Sequence, residues 1–260
     1  MAMPLSPNLS FTRFIFVVPR REDESFLTRL RNAGSAVARG FFNDFEAEGP
    51  RESQPLESMQ FLVADGEVYP ESPISAARYV VQVSGKYRPR LLEVETDLKR
   101  RTGEGASFLS LEGAERAPRY TSAELHDFAY KRAALRRTGR QSACAVILPL
   151  SKTDAWWSQG TLDRHAFFYP HIDQTTGCPV QGHARAAEEG IATLYRRLFH
   201  NPDGYQRAGE YDFLTYFECA AEEMPVFERV HQSLRDTSRN PEWRYVREGP
   251  IWKGRRVLRW

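Results

Sequence analysis

The sequence is poor in cysteine, and the three cysteines it has form no recognisable pattern. Cys144, Cys178 and Cys219 are odd in number, lie far apart and include no CxxC pair. Disulfide frameworks and zinc knuckles need even numbers or close pairs of cysteines, so we expect neither and interpret all three as free thiols. The sequence also lacks a glycine-rich phosphate loop and a cluster with metal-ligand spacing.

Long apolar runs and a strong charge of one sign are absent as well. No apolar stretch approaches the roughly 18 residues that a transmembrane helix needs, and the first residues lack the basic start and apolar run of a secretory signal. We therefore expect a cytoplasmic protein with no membrane partner. A net charge of +2 is too weakly basic for a dedicated nucleic-acid binder, so we expect no nucleic-acid partner.

The chain is long enough to bury a real core. Its 260 residues, 41% of them hydrophobic, suffice for one large globular domain or two smaller ones. The first half opens with a predicted strand, helix and strand, over residues 11–18, 23–33 and 77–83, with Gly34 as the predicted helix stop.

The rest of the first half has weaker secondary-structure patterns, and the last of them marks the predicted domain boundary. Residues 43–58 predict a loop, and residues 85–120 predict irregular connections because glycines and Pro118 are scattered through charged sequence. Residues 124–137 predict a helix with a basic end, which we interpret as a solvated helix end beside a linker. We therefore divide the chain into a structural first half, residues 1–140, and a second half, residues 141–260.

The second half shows a complete order of elements. A buried strand over 143–148, stopped by Pro149, precedes helical sequence from residue 153, which an aromatic and glycine-rich insert interrupts. Two strands, a helix and closing strand sequence follow, at 193–219, 222–235 and 243–257. Strand, helix, strand, strand, helix, strand is the order of a ferredoxin-like unit.

The stretch 193–219 carries the most chemically informative pattern. Two runs rich in aromatic and branched residues flank a turn cluster, Asn201-Pro202-Asp203-Gly204, which predicts paired strands. Alternate residues then share a face, with Arg196 above a largely apolar surface. A guanidinium with several N–H donors suits a small anion in a dry pocket. A hairpin whose arginine pairs with a carboxylate, or a helix over residues 191–199, fits the pattern too.

Three strings in fixed order then identify a resemblance. They read KTDAWW at residues 152–157, YRRLFH at 195–200 and DFLTYFE at 212–218, with a histidine between the first two. Together they resemble the haem-binding half of chlorite dismutases over about residues 143–257, whereas the first half resembles that family only in outline. The resemblance implies an α+β fold, in which two ferredoxin-like halves form an α+β barrel (a dimeric alpha-beta barrel) and the second half binds haem b.

The resemblance also implies roles for single residues. Arg196 matches the family's distal arginine and is the predicted catalytic residue. The other matches are predicted to bind the cofactor: Leu198, Thr215 and Phe217 in the distal pocket, and Lys152, Trp156 and Trp157 around the haem and its propionates.

Two histidines compete for the iron. His171 lies fourteen residues after Trp157, and His183 lies thirteen before Arg196; both spacings match the family. We predict His183, because it lies in helical sequence that leads into the hairpin, whereas His171 lies in an insertion over residues 164–182. In the family a glutamate after the last helix holds the ligand's second nitrogen, and Glu242 is the best match.

These matches imply a haem b-dependent oxidoreductase. It would decompose chlorite to chloride and dioxygen or act on a related small oxidant such as peroxide, and the insertion could alter access to the site. A coproheme decarboxylase of the same superfamily and a non-catalytic haem-binding protein are the alternatives. The family forms rings or dimers, so we expect a homo-oligomer.

Overall fold

An antiparallel sheet of nine strands organises the part of the chain that the structure describes. The computed structural model describes residues 10–41, 58–66, 68–115, 143–257 and 260. The predicted boundary at 140/141 and the predicted helix over 124–137 lie outside these residues, as does almost all of the predicted loop over 43–58. Within the described ranges, no helix has the length and apolar character needed to cross a membrane.

The first half is a complete ferredoxin-like unit. Its elements are β1 (Ser10–Pro19), α1 (Glu24–Phe41), β2 (Ser58–Ala64), β3 (Tyr79–Gly85), α2 (Arg88–Thr102) and β4 (Ala106–Glu115). Both helices pack on one face of its strands, where Ile15, Val81, Leu30 and Leu91 are buried in one apolar cluster. The alternation of apolar residues along β1 and β3 supplies this face.

The second half repeats the order with additions. Its strands are β5 (Cys144–Lys152), β6 (His171–Ile172), β7 (Pro179–Val180), β8 (Tyr195–His200), β9 (Phe213–Cys219), β10 (Val246–Glu248) and β11 (Trp252–Val257). Its helices are α3 (Asp154–Trp157), α4 (Thr161–Ala166), α5 (Gly182–Ala186) and α6 (Met224–Arg235). The strands β6 and β7 form a small hairpin of their own inside the predicted insertion.

The large sheet closes on itself. Its order is β10-β5-β11-β2-β3-β1-β4-β8-β9, and a further pairing of β5 with β9 joins every strand except β10 into a ring. The halves meet at two seams, β4 with β8 and β11 with β2. Phe14, Tyr216 and Trp252 fill the ring from both halves. The predicted α+β fold, two ferredoxin-like halves forming a barrel, is thereby confirmed.

The prediction of irregular structure is wrong over residues 85–115, and its last part, residues 116–120, lies outside the described residues. The helix α2 buries Leu91, Val94 and Leu98, an apolar stripe at helical spacing, and β4 pairs with β1 along its whole length. Gly103 misled the prediction because it ends α2 with a positive φ of 67°.

Two predicted stops are also wrong. α1 continues through Gly34 to Phe41, and a β-carbon at residue 34 would lie 3.1 Å from the ring of Phe61, so the glycine allows close packing there. β5 continues through Pro149 to Lys152; proline has no N–H to donate, but its carbonyl oxygen accepts the backbone N–H of Gly249 at 2.8 Å. The strand β2 was not predicted at all.

Candidate functional site

One face of the second half's strands gathers four of the predicted site residues. The register pairs Arg196 with Phe217 and Leu198 with Thr215, and residues paired directly across an antiparallel ladder point to the same face. Thr215 and Phe217 are buried, while Arg196 and Leu198 are half-buried. We call these four residues the distal face. The prediction of paired strands is confirmed, and the alternative helix over residues 191–199 is wrong.

The helix α5, which carries His183, lies against this face. Ala186, three residues after His183, is buried in one apolar cluster with Val146 of β5 and Phe217 of the distal face. The backbone N–H of His183 donates to the carbonyl oxygen of Phe167 at 2.9 Å, which ties the start of α5 to the preceding segment. The ring of Phe168 lies 5.3 Å from the His183 ring, centroid to centroid.

Glu242 joins His183 to Lys152 in the most specific contact of the site. One carboxylate oxygen of Glu242 lies 2.7 Å from His183 Nδ1, and the other lies 2.5 Å from Lys152 Nζ. The side chains of Glu242 and Lys152 are 5% and 9% exposed, and that of His183 is 18% exposed. The sequence separation is 59 residues for the first contact and 90 for the second, so only the fold brings them together.

The charge state of Glu242 determines which histidine nitrogen is available. Burial alone raises the pKa of this carboxyl, but the adjacent Lys152 and His183 more than offset burial and hold the pKa well below its usual range. An ionised carboxylate has no proton to donate, so His183 Nδ1 carries the hydrogen of the 2.7 Å bond. The other nitrogen, Nε2, is then the basic atom that can ligate a metal.

The two tryptophans of the first string have different surroundings. The Lys152 ammonium lies 4.1 Å from the centre of the Trp156 ring, which also packs against Tyr245. Trp157 stacks on Tyr205, with ring centroids 4.4 Å apart and planes 17° from parallel. Trp157 Nε1 is buried and has no hydrogen-bond acceptor among the described residues. A buried donor of this kind is costly unless a ligand supplies its acceptor.

His171, the alternative iron ligand, lies elsewhere. It is half-buried on β6, where its Nδ1 donates to the Tyr169 carbonyl oxygen at 2.8 Å and its ring meets Phe167 edge-on. A carbonyl oxygen also fixes the tautomer, but it carries no charge to increase the basicity of the free nitrogen. Of the two histidines, His183 is the one hydrogen bonded to Glu242.

The structure adds a residue that the sequence reasoning missed. Asp212 is buried, and its two carboxylate oxygens accept the backbone N–H groups of Lys152 and Gln206, each at 2.7 Å. It thereby fixes the end of β5, where the Lys152 side chain begins. Asp212 is the first residue of the DFLTYFE string, so its position in that motif was the available signal.

The insertion is attached to the chain segment that carries Glu242. Asp173, between β6 and β7, is buried and accepts a hydrogen bond from Arg244 Nη2 at 2.8 Å. The backbone N–H groups of Gln181 and Gly182 both donate to the carbonyl oxygen of Arg239 at 3.0 Å. These contacts place the insertion on the Glu242 side of His183, and nothing in the sequence around Asp173 or Arg244 pointed to them.

The donor set fits a haem better than a bare metal ion. Among the described residues, no three His, Cys, Asp or Glu side chains converge as metal ligands. Haem iron needs only one axial ligand from the protein, because the porphyrin supplies the equatorial nitrogens. His183 with its carboxylate partner meets that need, and the buried Trp157 N–H suits an anionic group at the edge of a porphyrin.

Comparisons with known proteins agree on the fold. No protein-family model and no curated protein sequence matches the chain. A mutant chlorite dismutase from Candidatus Nitrospira defluvii is similar in structure, with a TM-score of 0.70 and 16% identity over 97% of this chain and 93% of that one. The same enzyme in complex with imidazole, and a mutant of it in complex with cyanide, both give a TM-score of 0.69 and 17% identity, over 97% of this chain and 92% of theirs. At these identities the likeness is one of fold, and the fold of this chain is that of the chlorite dismutases.

Proposed function

We propose that the protein binds haem b through His183 and acts as a haem-dependent oxidoreductase that decomposes chlorite, or a related small oxidant, at the distal face. The observation that carries the proposal is the hydrogen-bonded chain from His183 through the buried Glu242 to Lys152. A carboxylate that serves only an ion pair with lysine does not need an imidazole as a second partner. An imidazole that ligates iron, by contrast, gains basicity and a fixed orientation from a hydrogen-bonded carboxylate.

Each predicted cofactor residue has a distinct task in this proposal. His183 Nε2 would hold the iron, and Glu242 would hold His183 in one tautomer and orientation. Trp157 Nε1 would donate to a propionate, with Lys152 and Trp156 beside it. When bound, haem supplies the exchange of electrons and oxygen with the substrate, which is chemistry that no side chain of the site offers.

Arg196 would bind and orient the anion. Its guanidinium stays protonated and stands on the same face as Leu198, Thr215 and Phe217. The apolar neighbours exclude water, which strengthens the attraction between the guanidinium and a small anion. Arg196 would also keep a departing oxyanion in place, because the guanidinium is positively charged both before and after the bond within the substrate breaks.

The iron ligand can be tested by absorption spectroscopy of the purified protein with added haem. We expect a Soret band that is lost in His183→Ala and kept in His171→Ala, the matched histidine of the insertion. A band that survives in His183→Ala and disappears in His171→Ala would reverse the assignment. Because the similar chlorite dismutase forms complexes with imidazole and cyanide, we also expect both compounds to shift the band.

The reaction can be tested with an oxygen electrode. We expect dioxygen on addition of chlorite, and we expect Arg196→Ala to keep its haem but lose activity by about 10²–10³-fold, as for loss of one preorganised charge partner. Arg197→Ala is the control, because neighbouring strand residues point to opposite faces. Haem binding without dioxygen would favour a non-catalytic haem protein, and conversion of coproheme to a lighter porphyrin by mass would favour the decarboxylase.

Two predictions from the sequence complete the proposal. We propose a homo-oligomer, which light scattering of the haem-loaded protein would test, and a cytoplasmic location, which fractionation of the native cells would test. A monodisperse monomer would contradict the proposed homo-oligomer, and recovery outside the cytoplasm would contradict the proposed location.

A further inference from the structure

Three sulfur-containing side chains lie near the start of β5, the end of that strand remote from Lys152. Cys144 of β5 is paired directly with Cys219 of β9, so both side chains point to one face. The Cys219 thiol also lies 3.5 Å from Met224 Sδ at the start of α6. We call Cys144, Cys219 and Met224 the sulfur cluster. It shares no residue with the proposed haem site.

The surroundings of the sulfur cluster make it reachable but not reactive. Cys219 is buried, whereas Cys144 and Met224 are half-buried, so the cluster lies just beneath the surface. Burial raises the pKa of Cys219 to about 12, with smaller contributions from Cys144 and nearby carboxylates. Burial also raises the pKa of Cys144, next to Asp65, Arg255 and Glu222. Thiols that stay protonated are poor nucleophiles and resist oxidation.

We propose that the sulfur cluster is a binding site for a soft monovalent cation of the Cu(I) type. Thiolate and thioether sulfur are the ligands that select Cu(I), whereas harder divalent ions prefer imidazole and carboxylate oxygen. Cys219 Sγ and Met224 Sδ lie 3.5 Å apart, and Cys144 is paired with Cys219 across the strands, so these three side chains are the proposed ligands.

The binding reaction balances without an oxidant. Cu⁺ displaces the two thiol protons, which pass to solvent, and forms two copper–thiolate bonds and one copper–thioether bond. No electron is transferred. A disulfide between Cys144 and Cys219 would use the same two residues, but it would need an oxidant and would leave Met224 without a role. The test must therefore distinguish the two.

The test is a competition for Cu(I), under anaerobic conditions, between the full-length protein and the coloured chelator bicinchoninate. We expect the protein to withdraw one equivalent. Cys144→Ser and Cys219→Ser should each weaken binding at least about tenfold, the scale of losing a supporting contact at a metal site. Met224→Leu, a swap that conserves volume in the core, should weaken binding with the fold intact, so it tests the cluster even if a cysteine variant misfolds.

Two matched controls locate the site. Cys178→Ser removes an exposed thiol outside the cluster and should leave the Cu(I) affinity unchanged. His183→Ala removes the proposed iron ligand and should also leave the Cu(I) affinity unchanged. Failure of the haem proposal would therefore leave the Cu(I) proposal standing. Loss of binding in Cys178→Ser, full binding in Cys219→Ser, or a native protein two hydrogens lighter than its reduced form would overturn the proposal.

Discussion

Glu242 connects both sides of the candidate site, so its replacement is the most informative single change. Glu242→Gln keeps the shape but removes the charge that Lys152 and His183 share. We expect the haem dissociation constant to rise about 10–100-fold. We also expect the free energy of unfolding to fall by about 3–5 kcal/mol, because a buried lysine loses its counter-charge. Haem titration and denaturant unfolding measure the two effects.

The matched control for that prediction is Glu248→Gln. Glu248 lies six residues further on and bonds Arg235 and the indole N–H of Trp243. Its loss should lower stability without changing haem affinity. Equal haem affinity in Glu242→Gln and the unaltered protein would show that Glu242 does not serve the ligand.

Glu95 in the first half gives the clearest pH dependence. It is buried between Arg13 and Lys99, with 2.5 Å to a nitrogen of each. Burial raises the pKa of Glu95, but the two cations outweigh burial and the net shift is downward from 4.5. A carboxyl with a lowered folded pKa stabilises the protein above its unfolded pKa, and that contribution is lost as pH falls through the folded value.

We therefore expect Glu95→Gln to lower the free energy of unfolding by about 1.5–3 kcal/mol at pH 7, the scale of hydrogen bonds to charged groups. The difference from the unaltered protein should shrink as the pH falls below 4.5, where the unfolded carboxyl takes up its proton. Urea unfolding at a series of pH values measures it. A difference that is independent of pH would mean that the ion pairs contribute nothing.

Sequence reasoning found most of the site residues that lie inside motifs, but it missed Asp212 of the DFLTYFE string and the contacts of the insertion. Arg196, Leu198, Thr215 and Phe217 follow from strand alternation and from the strings around them, and the register places them together. The contact of Asp173 with Arg244 spans 71 residues, so no local pattern could have found it.

At the scale of elements, the β6–β7 hairpin contacts and stabilises the segment that carries Glu242. Asp173→Ala removes the acceptor of Arg244 and of Thr176. We expect the free energy of unfolding to fall by about 1–3 kcal/mol, because a hydrogen-bonded charge is lost, and haem binding to weaken with it.

Ile172→Ala is the control within the same hairpin. Ile172 is 60% exposed, so its truncation should change neither stability nor haem affinity appreciably. Thermal unfolding with and without haem measures both variants. An Asp173→Ala protein with full haem affinity would mean that the hairpin does not support the ligand.

Two of the mispredicted elements, α1 and α2, are those in which a glycine lies inside or at the end of a helix. In α1, Gly34 weakens the helix locally, yet the helix continues through it with the ring of Phe61 packed close, 3.1 Å from where a β-carbon would lie. Long aromatic and β-branched runs such as β1 needed no such context and were predicted correctly. Local propensity identifies an element only where packing does not oppose it.

At the scale of the whole molecule, the two seams hold the halves together with very little space. In β11, Gly254 pairs with Ala64 of β2, and a β-carbon there would lie 2.3 Å from the Val63 carbonyl oxygen. We expect Gly254→Ala to lower the free energy of unfolding by about 1–3 kcal/mol, the typical cost of overpacking.

Gly40→Ala is the matched control for the seam. Gly40 lies near the end of α1, and a β-carbon there would meet nothing within 4 Å. This variant should be neutral or more stable by up to about 1 kcal/mol, because alanine loses less backbone entropy in a helix. Denaturant unfolding compares the two, and equal stability of both variants would mean that the seam tolerates expansion.

The closed ring also makes the first half a support for the strands that carry the proposed haem site. The strand β8, which carries Arg196, is bordered on one side by β4 of the first half, and β5, which carries Lys152, is joined to that half through β11. Loss of the first half would leave β8 without β4 and β11 without β2. Under the proposed function, the haem absorption of the protein would therefore report on folding of the first half, which contributes none of the proposed haem ligands, and variants of that half could be ranked by their absorption.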